Sequence, residues 1–170
     1  PLYGRHFVQI HMGNFSNSEA REFLTLGFQQ IGVAASSEVI DYAVQNLDGV
    51  AGWLTLFGAR CRDKHGYSKE LVDEVVSEAG KLAREEALKL VMLSQRYGII
   101  LNFLANVGSA SWSQIKGVIE AKEKRSITNA SVSNLLNTLV KMGLIEKVNG
   151  GYAIVDALLV NGVKEQALPE

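Results

Sequence analysis

The feature that most constrains this chain is Asn149-Gly150-Gly151, set between Leu144-Ile145-Glu146-Lys147-Val148 and Tyr152-Ala153-Ile154-Val155. An Asn-Gly pair accepts the positive φ of a tight two-residue turn, so two short β-prone runs around it predict a hairpin. What precedes the hairpin narrows the fold further. Ile99, Ile100, Phe103, Leu104 and Val107 recur at helical spacing up to Gly108. Ser111-Trp112-Ser113-Gln114 forms a capping box, and Trp112, Ile115, Val118 and Ile119 make the apolar face behind it. A charged turn, Lys122-Glu123-Lys124-Arg125, leads to Thr128, a good helix cap. Val132, Leu135, Leu136 and Leu139 then define a third helix that Gly143 stops. Three helices closed by a hairpin is the order of a winged helix-turn-helix, placed at residues 96–160.

Upstream, His6-Phe7-Val8-Gln9-Ile10-His11-Met12 alternates as one extended strand. It has no partner strand nearby, so residues 1–15 read as the terminal strand of a sheet lying elsewhere. Ser16 and Glu19 form a second capping box. The helix it opens is expected to turn Phe23, Leu26 and Ile31 inward and to stop near Gly32. A second helix runs from Ser37 to Leu47, with Val39, Ile40, Ala43, Val44 and Leu47 on one stripe, until Asp48-Gly49 breaks it. A third, from Val50 to Arg62, carries Trp53, Leu54, Leu56 and Phe57 on most of its faces and should be the buried one. Ser68 starts a long fourth helix with Leu71, Val75, Ala79, Leu82 and Leu90 at helical spacing, continuing toward Arg96. Residues 16–95 are thus a four-helix bundle joined by helix to the winged unit. Residues 161–170 remain as a tail.

Composition excludes several classes. With 47% apolar and 21% charged residues, the chain carries a real core and is no disordered tail. No run approaches the roughly 18 apolar residues of a membrane span, and no basic-then-apolar leader is present. The single Cys61 excludes an internal disulfide and a cysteine-rich zinc site, which predicts a reducing, cytoplasmic setting without a membrane partner. A chain opening on Pro1 rather than methionine reads as a piece of something larger. Charge is uneven: residues 1–80 carry 6 Lys and Arg against 10 Asp and Glu, and residues 81–170 carry 11 against 8. The second half therefore tilts weakly toward nucleic acid.

The third helix of a winged unit is the one that can enter a DNA major groove. Its outward face is expected to hold Asn129, Ser131, Ser133, Asn134, Asn137, Thr138 and Lys141. Amides and hydroxyls read base edges or bond phosphates, whereas arginine, the commonest base reader, is missing from this helix. Lys147 on the wing adds a phosphate contact. DNA and a protein surface both remain open as its partner. No catalytic constellation emerges. His6, His11 and His65 lack the i,i+4 spacing of helical metal ligands, and no metal is expected. Cys61 stands between Arg60 and Arg62, yet on an apolar helix it reads as a small core residue. The chain has no Gly-x-x-x-x-Gly-Lys-[Ser/Thr] loop and is not expected to hydrolyse a nucleotide by itself.

The order of these features carries a resemblance. Pro1-Leu2-Tyr3-Gly4-Arg5, a strand, the helix with Glu22-Phe23-Leu24, and Gly49-Val50-Ala51-Gly52-Trp53-Leu54 come first. Ser111-Trp112-Ser113-Gln114-Ile115-Lys116, Gly143-Leu144-Ile145-Glu146-Lys147 and Tyr152-Ala153-Ile154-Val155-Asp156 follow. Together they resemble the archaeal-type P-loop ATPases of the STAND branch of the AAA+ superfamily, up to about Val160. The resemblance implies a mainly α architecture, a four-helix lid-type bundle followed by a winged helix-turn-helix with a short β-hairpin wing. It implies a C-terminal regulatory portion that couples nucleotide state to a winged-helix output. The Walker motifs and an N-terminal ATPase core holding ATP and magnesium would then lie upstream of Pro1. It implies a nucleotide-sensing set of Arg5, Gly49, Ala51 and Trp53, with Ala51 where the family's Gly-x-Pro turn has proline. Read from the residues alone, Trp53 is a core aromatic, and the whole chain fits a stand-alone winged-helix DNA-binding regulator as well.

Overall fold

The computed structural model describes residues 13–170. The strand over His6–Met12, with its two histidines, and the placement of Arg5 lie outside the described residues. Five of the helix starts are fixed by serine. Ser16 opens α1 (Asn17–Gln30) with the reciprocal box, its amide donating to the Glu19 carboxylate at 2.8 Å. Ser36 caps α2 (Ser37–Asn46) and Ser68 caps α4 (Lys69–Val91), each accepting a backbone amide of the first turn. Between them, α3 (Ala51–Asp63) starts at Val50 with no side-chain cap. The fourth, Ser94, caps α5 (Gln95–Val107), so the long helix does not run on toward Arg96. It ends at Val91, and the Leu93 and Ser94 amides both turn back to the Leu90 carbonyl. A serine able to cap a new helix ends the old one there.

The winged unit follows the expected order with one addition. After α5 come β1 (Ser109–Ser111), α6 (Trp112–Glu123), α7 (Asn129–Lys141), β2 (Ile145–Val148) and β3 (Gly151–Ile154). The strands form an antiparallel sheet in the order β1-β3-β2, with Ala110 opposite Tyr152 and Lys147 opposite the same Tyr152. Asn149 and Gly150 turn the wing with φ of 36° and 81°. Thr128 caps α7 and Ser111 caps α6 through the full box with Gln114.

Residues 161–170 are not a tail. Asp156 caps an eighth helix, α8 (Ala157–Glu165), whose Leu158, Leu159 and Val163 are buried. Beyond it, Arg84 donates to the Gln166 and Ala167 carbonyls at 2.5 and 3.0 Å. The buried Asn102 amide holds the Leu168 backbone from both sides at 2.9 Å, and Leu168 itself is buried. A buried amide side chain must be satisfied, and here the chain end satisfies it.

Two apolar cores result. One collects Leu24, Phe28, Val39, Ile40, Leu47, Leu54, Phe57, Leu71 and Val75; the other collects Ile100, Leu101, Leu104, Ile115, Ile119, Leu136, Leu139 and Ile145. α4 feeds both, and so does α8, with Leu158 in the first and Leu159 in the second. Several inward faces differ from expectation. In α1 the buried row is Ala20, Leu24 and Phe28, while Phe23, Leu26 and Ile31 are exposed. α1 has two apolar stripes, and α2 and α3 cover the one that the small Ala20 lets them approach. In α4 Leu82 is exposed, because Ala79, Gly80, Ala83 and Ala87 form the inward face and admit α8 at close range. Val107, one residue before the helix-ending Gly108, also faces out. α3 buries only Leu54, Phe57 and Cys61 fully, so it is amphipathic rather than enclosed.

Candidate functional site

Two surfaces carry the residues singled out by the sequence. The first is the turn before α3. Asp48 and Gly49 both adopt positive φ, 51° and 65°. A side chain at Gly49 would place its Cβ 2.1 Å from the Phe15 carbonyl oxygen, so only glycine fits. The Phe15 amide donates to the Gly49 carbonyl at 2.8 Å, and the Asn14 side chain donates to the Asp48 carbonyl at 3.1 Å. The turn is therefore strapped to the segment entering α1. Ala51 is exposed at the uncapped start of α3. Backbone amides in the first turn of an uncapped helix attract anions.

Trp53 lies two residues on and is half-buried, packed against both cores. Its indole N–H donates to Asp156 Oδ2 at 2.9 Å, while Asp156 Oδ1 accepts the Leu158 amide at 2.8 Å and so caps α8. One carboxylate thus serves two elements. The bond joins the first turn of α3 to the residue between the wing and α8 across 103 residues of chain. Sequence reasoning named both Trp53 and Asp156 but had no signal that they meet.

The second surface is α7 and the wing. Val132, Leu135, Leu136 and Leu139 are buried. Helical periodicity therefore places Ser133, Asn134, Asn137 and Lys141 together on the opposite stripe. Asn129 lies on one flank and accepts from Lys116 Nζ at 2.9 Å. Ser131 and Thr138 lie on the other flank, and both hydroxyls bond locally, Ser131 with Thr128 and Thr138 to the Asn134 carbonyl. Lys147 is exposed on β2. Sequence reasoning missed Trp112 and Tyr152 as surface groups; with Lys147 and the wing turn they line an open cleft of about 340 Å³.

Other candidates resolve as structure. Cys61 is fully buried, and burial pushes its thiol up to about 11, so it is a core residue rather than an activated thiolate. Its neighbours are engaged elsewhere, Arg60 with Glu78 and Arg62 with Asp63. His65 is an exposed turn residue with φ of 50°. Among the described residues no group of three His, Cys, Asp or Glu stands close enough to hold a metal ion, and no helix is long and apolar enough to cross a membrane. The strongest charge cluster is Glu123, which takes both Arg96 (2.6 Å) and Arg125 (2.8 Å). The Arg96 guanidinium, seconded by Arg125, holds that carboxyl down to about 2.

The chain is similar to known proteins at the level of domain and fold. Residues 92–155 match the family model of the MCM protein C-terminal winged helix-turn-helix domain. The structure superposes on that of a Walker-type ATPase of Pyrococcus abyssi with a TM-score of 0.76 and 28% sequence identity. The alignment covers 96% of this chain and 46% of that one, so the chain spans about half the length of the ATPase it matches. No curated protein sequence matches the chain.

Proposed function

We propose that this chain, similar to a Walker-type ATPase of Pyrococcus abyssi and matching a winged-helix family model over residues 92–155, is the lid and output arm of an ATP-driven switch of the STAND type. In this reading the helical part, residues 16–95, rests on an ATPase core and responds to the nucleotide held there. The winged helix, residues 96–160, presents a different surface in each nucleotide state, and its partner is DNA. The cytoplasm is the setting that fits such a switch. The observation that carries the proposal is the bond from Trp53 to Asp156. It supports a route from the first turn of α3, beside the Gly49 turn that the proposal takes as the nucleotide sensor, to the junction of wing and α8.

ATP and magnesium fit this arrangement in part. The uncapped first turn of α3 offers the Ala51 and Gly52 amides to a phosphate. When bound, the nucleotide would supply phosphate charge whose gain or loss favours one docked position of the lid. Arg5 is the further phosphate contact in the proposal. The described residues offer no magnesium ligand set, so the metal falls to the core. Nucleotide can shift the arm only by binding one arrangement more tightly than the other, and a few kcal/mol of difference suffices.

Hydrogen exchange on the protein assembled with its ATPase core, with and without Mg-ATP, tests the coupling. The expected result is nucleotide-dependent protection around Asp156 and Leu158 that Asp156→Asn abolishes. That variant keeps an oxygen to cap α8 but turns an amide donor toward the Trp53 N–H. Exchange in the winged helix that ignores the nucleotide would sink the reading.

A second reading is a stand-alone DNA-binding regulator. It is favoured by the clean polar stripe of Ser133, Asn134, Asn137 and Lys141, to which Asn129, Ser131 and Lys147 add flanking groups. Duplex binding by the chain alone at about 50 mM salt, falling as salt rises, is its signature. A winged helix that binds protein instead would show no such titration.

A further inference from the structure

We propose that the cleft between α6 and the wing is a binding site for a nucleotide of unpaired DNA, which stacks on Trp112 and is held through its phosphate by Lys147. The proposal rests on reading the winged helix as a nucleic-acid-binding unit, and it adds a site apart from the outward stripe of α7.

The cleft is built by the wing's third turn residue. Gly151 pairs with Ser111, and a Cβ there would stand 2.7 Å from the Ala110 carbonyl oxygen. Lacking one, Gly151 lets β1 close onto β3. Trp112 follows β1 directly, so this approach brings the indole to the tip of the wing. Lys147 and Tyr152 are cross-strand partners and stand side by side on one face of the hairpin. Trp112, Lys147, Tyr152 and the Asn149-Gly150-Gly151 backbone then surround an open space of about 340 Å³. Trp112 is partly buried in the second core, which holds its ring in place.

Its chemistry suits one kind of ligand. A fixed indole offers a flat face to any base, and stacking of this kind needs no sequence. Lys116 Nζ sits 5.8 Å from the Trp112 ring centroid and adds positive charge beside the indole. Glu120, 3.7 Å away, draws part of the Lys116 charge. Lys147 has no ion-pair partner among the described residues and remains available to a phosphate. Lys116 also bonds Asn129 at the start of α7, which ties the helix carrying Trp112 to α7. A base inside a duplex has both faces covered and cannot stack on Trp112. The site therefore selects unpaired strand, as at a fork or an opened duplex.

Anisotropy of a labelled oligothymidylate of about eight nucleotides and of a labelled duplex tests this on the whole chain at about 50 mM salt. Oligothymidylate is expected to bind. Trp112→Leu, which keeps apolar packing but removes the stacking face, should weaken it about fivefold or more, while Trp112→Phe should change it little. Lys147→Glu, on an exposed side chain that cannot disturb the core, should weaken it to a similar extent and flatten the salt dependence. Asn137→Ala with Lys141→Ala should lower duplex affinity and leave oligothymidylate binding alone. If that pair leaves duplex binding intact, the α7 reading fails while the cleft stands. Absence of oligothymidylate binding, or binding that ignores both Trp112→Leu and Lys147→Glu, overturns the cleft. So does a loss in those variants confined to duplex.

Discussion

Gly49 and Glu123 are the two positions where one side chain, absent or present, decides most. Gly49 holds a φ of 65° with the Phe15 carbonyl where its Cβ would be. Gly49→Ala must either strain the backbone or push the Asn14-Phe15 strap away. Each route costs about 1–3 kcal/mol. Urea unfolding should show a lower midpoint with an unchanged slope, and an unchanged midpoint would mean that the strap yields freely. Glu123 works through charge. Its carboxyl titrates near 2 in the folded protein, below its ordinary value of 4.5, because Arg96 and Arg125 favour the anion. A folded value below the unfolded one means the stabilisation is complete above about 4.5 and is lost as pH falls toward 2. With Glu123 only 17% exposed, the effect is roughly 1–2 kcal/mol after solvent screening. Glu123→Gln should flatten the acid limb of stability measured between pH 5 and 2. An acid limb as steep as in the parent chain would assign the effect to other carboxylates. Sequence pattern named Glu123 only as part of a charged turn, since its partner Arg96 lies on another helix.

Among the elements, the starts of helices were legible and their faces less so. A cap is a local event: Ser16 with Glu19, Ser111 with Gln114, and Thr128 each act within three residues, so spacing alone reveals them. Ser111→Ala should therefore cost about 1 kcal/mol in thermal or urea unfolding, the usual loss for a missing N-cap. A smaller change would mean that the Ser111–Gly151 pairing alone holds the start of α6. Faces depend on what packs against them. α1 carries two apolar stripes and α4 carries both leucines and alanines. Size alone favoured Phe23 and Leu82, whereas close helix approach selected Ala20 and Ala83. β1 had no signal because three residues show no period; it is a strand only through β3. α8 did have one, an Asp156 cap before Leu158, Leu159 and Val163, but its nine residues are short for a periodic reading. The site divides in the same way. The α7 stripe follows from one helix's periodicity, whereas the Trp53–Asp156 bond and the Trp112 cleft arise from contacts between distant segments.

At the scale of the molecule, the decisive contact is the crossing of α4 and α8. A Cβ at Gly162 would lie 2.3 Å from the Gly80 carbonyl oxygen, and one at Gly80 would lie 3.3 Å from that of Leu158. The two helices therefore meet backbone to backbone. α8 leaves the wing at Asp156, crosses α4 at this point, and places Leu158 in the helical core and Leu159 and Val163 in the winged core. On the proposed reading, movement of the helical part would pass to the winged part through α4, α8 and Trp53 together. Gly162→Ala should break the passage by lifting α8 from α4, because backbone atoms cannot yield as a flexible side chain does. The expected cost is about 2–3 kcal/mol, with a further qualitative change. Coincident unfolding transitions seen by the Trp112 fluorescence of a Trp53→Phe chain and by far-UV circular dichroism mark one cooperative unit. In the Gly162→Ala background of that same chain, the two probes should separate, the winged core and the helical core melting at different denaturant concentrations. If they stay coincident at an unchanged midpoint, α8 does not join the two cores, and a nucleotide signal in the native chain would have to travel by α4 and the Trp53–Asp156 bond.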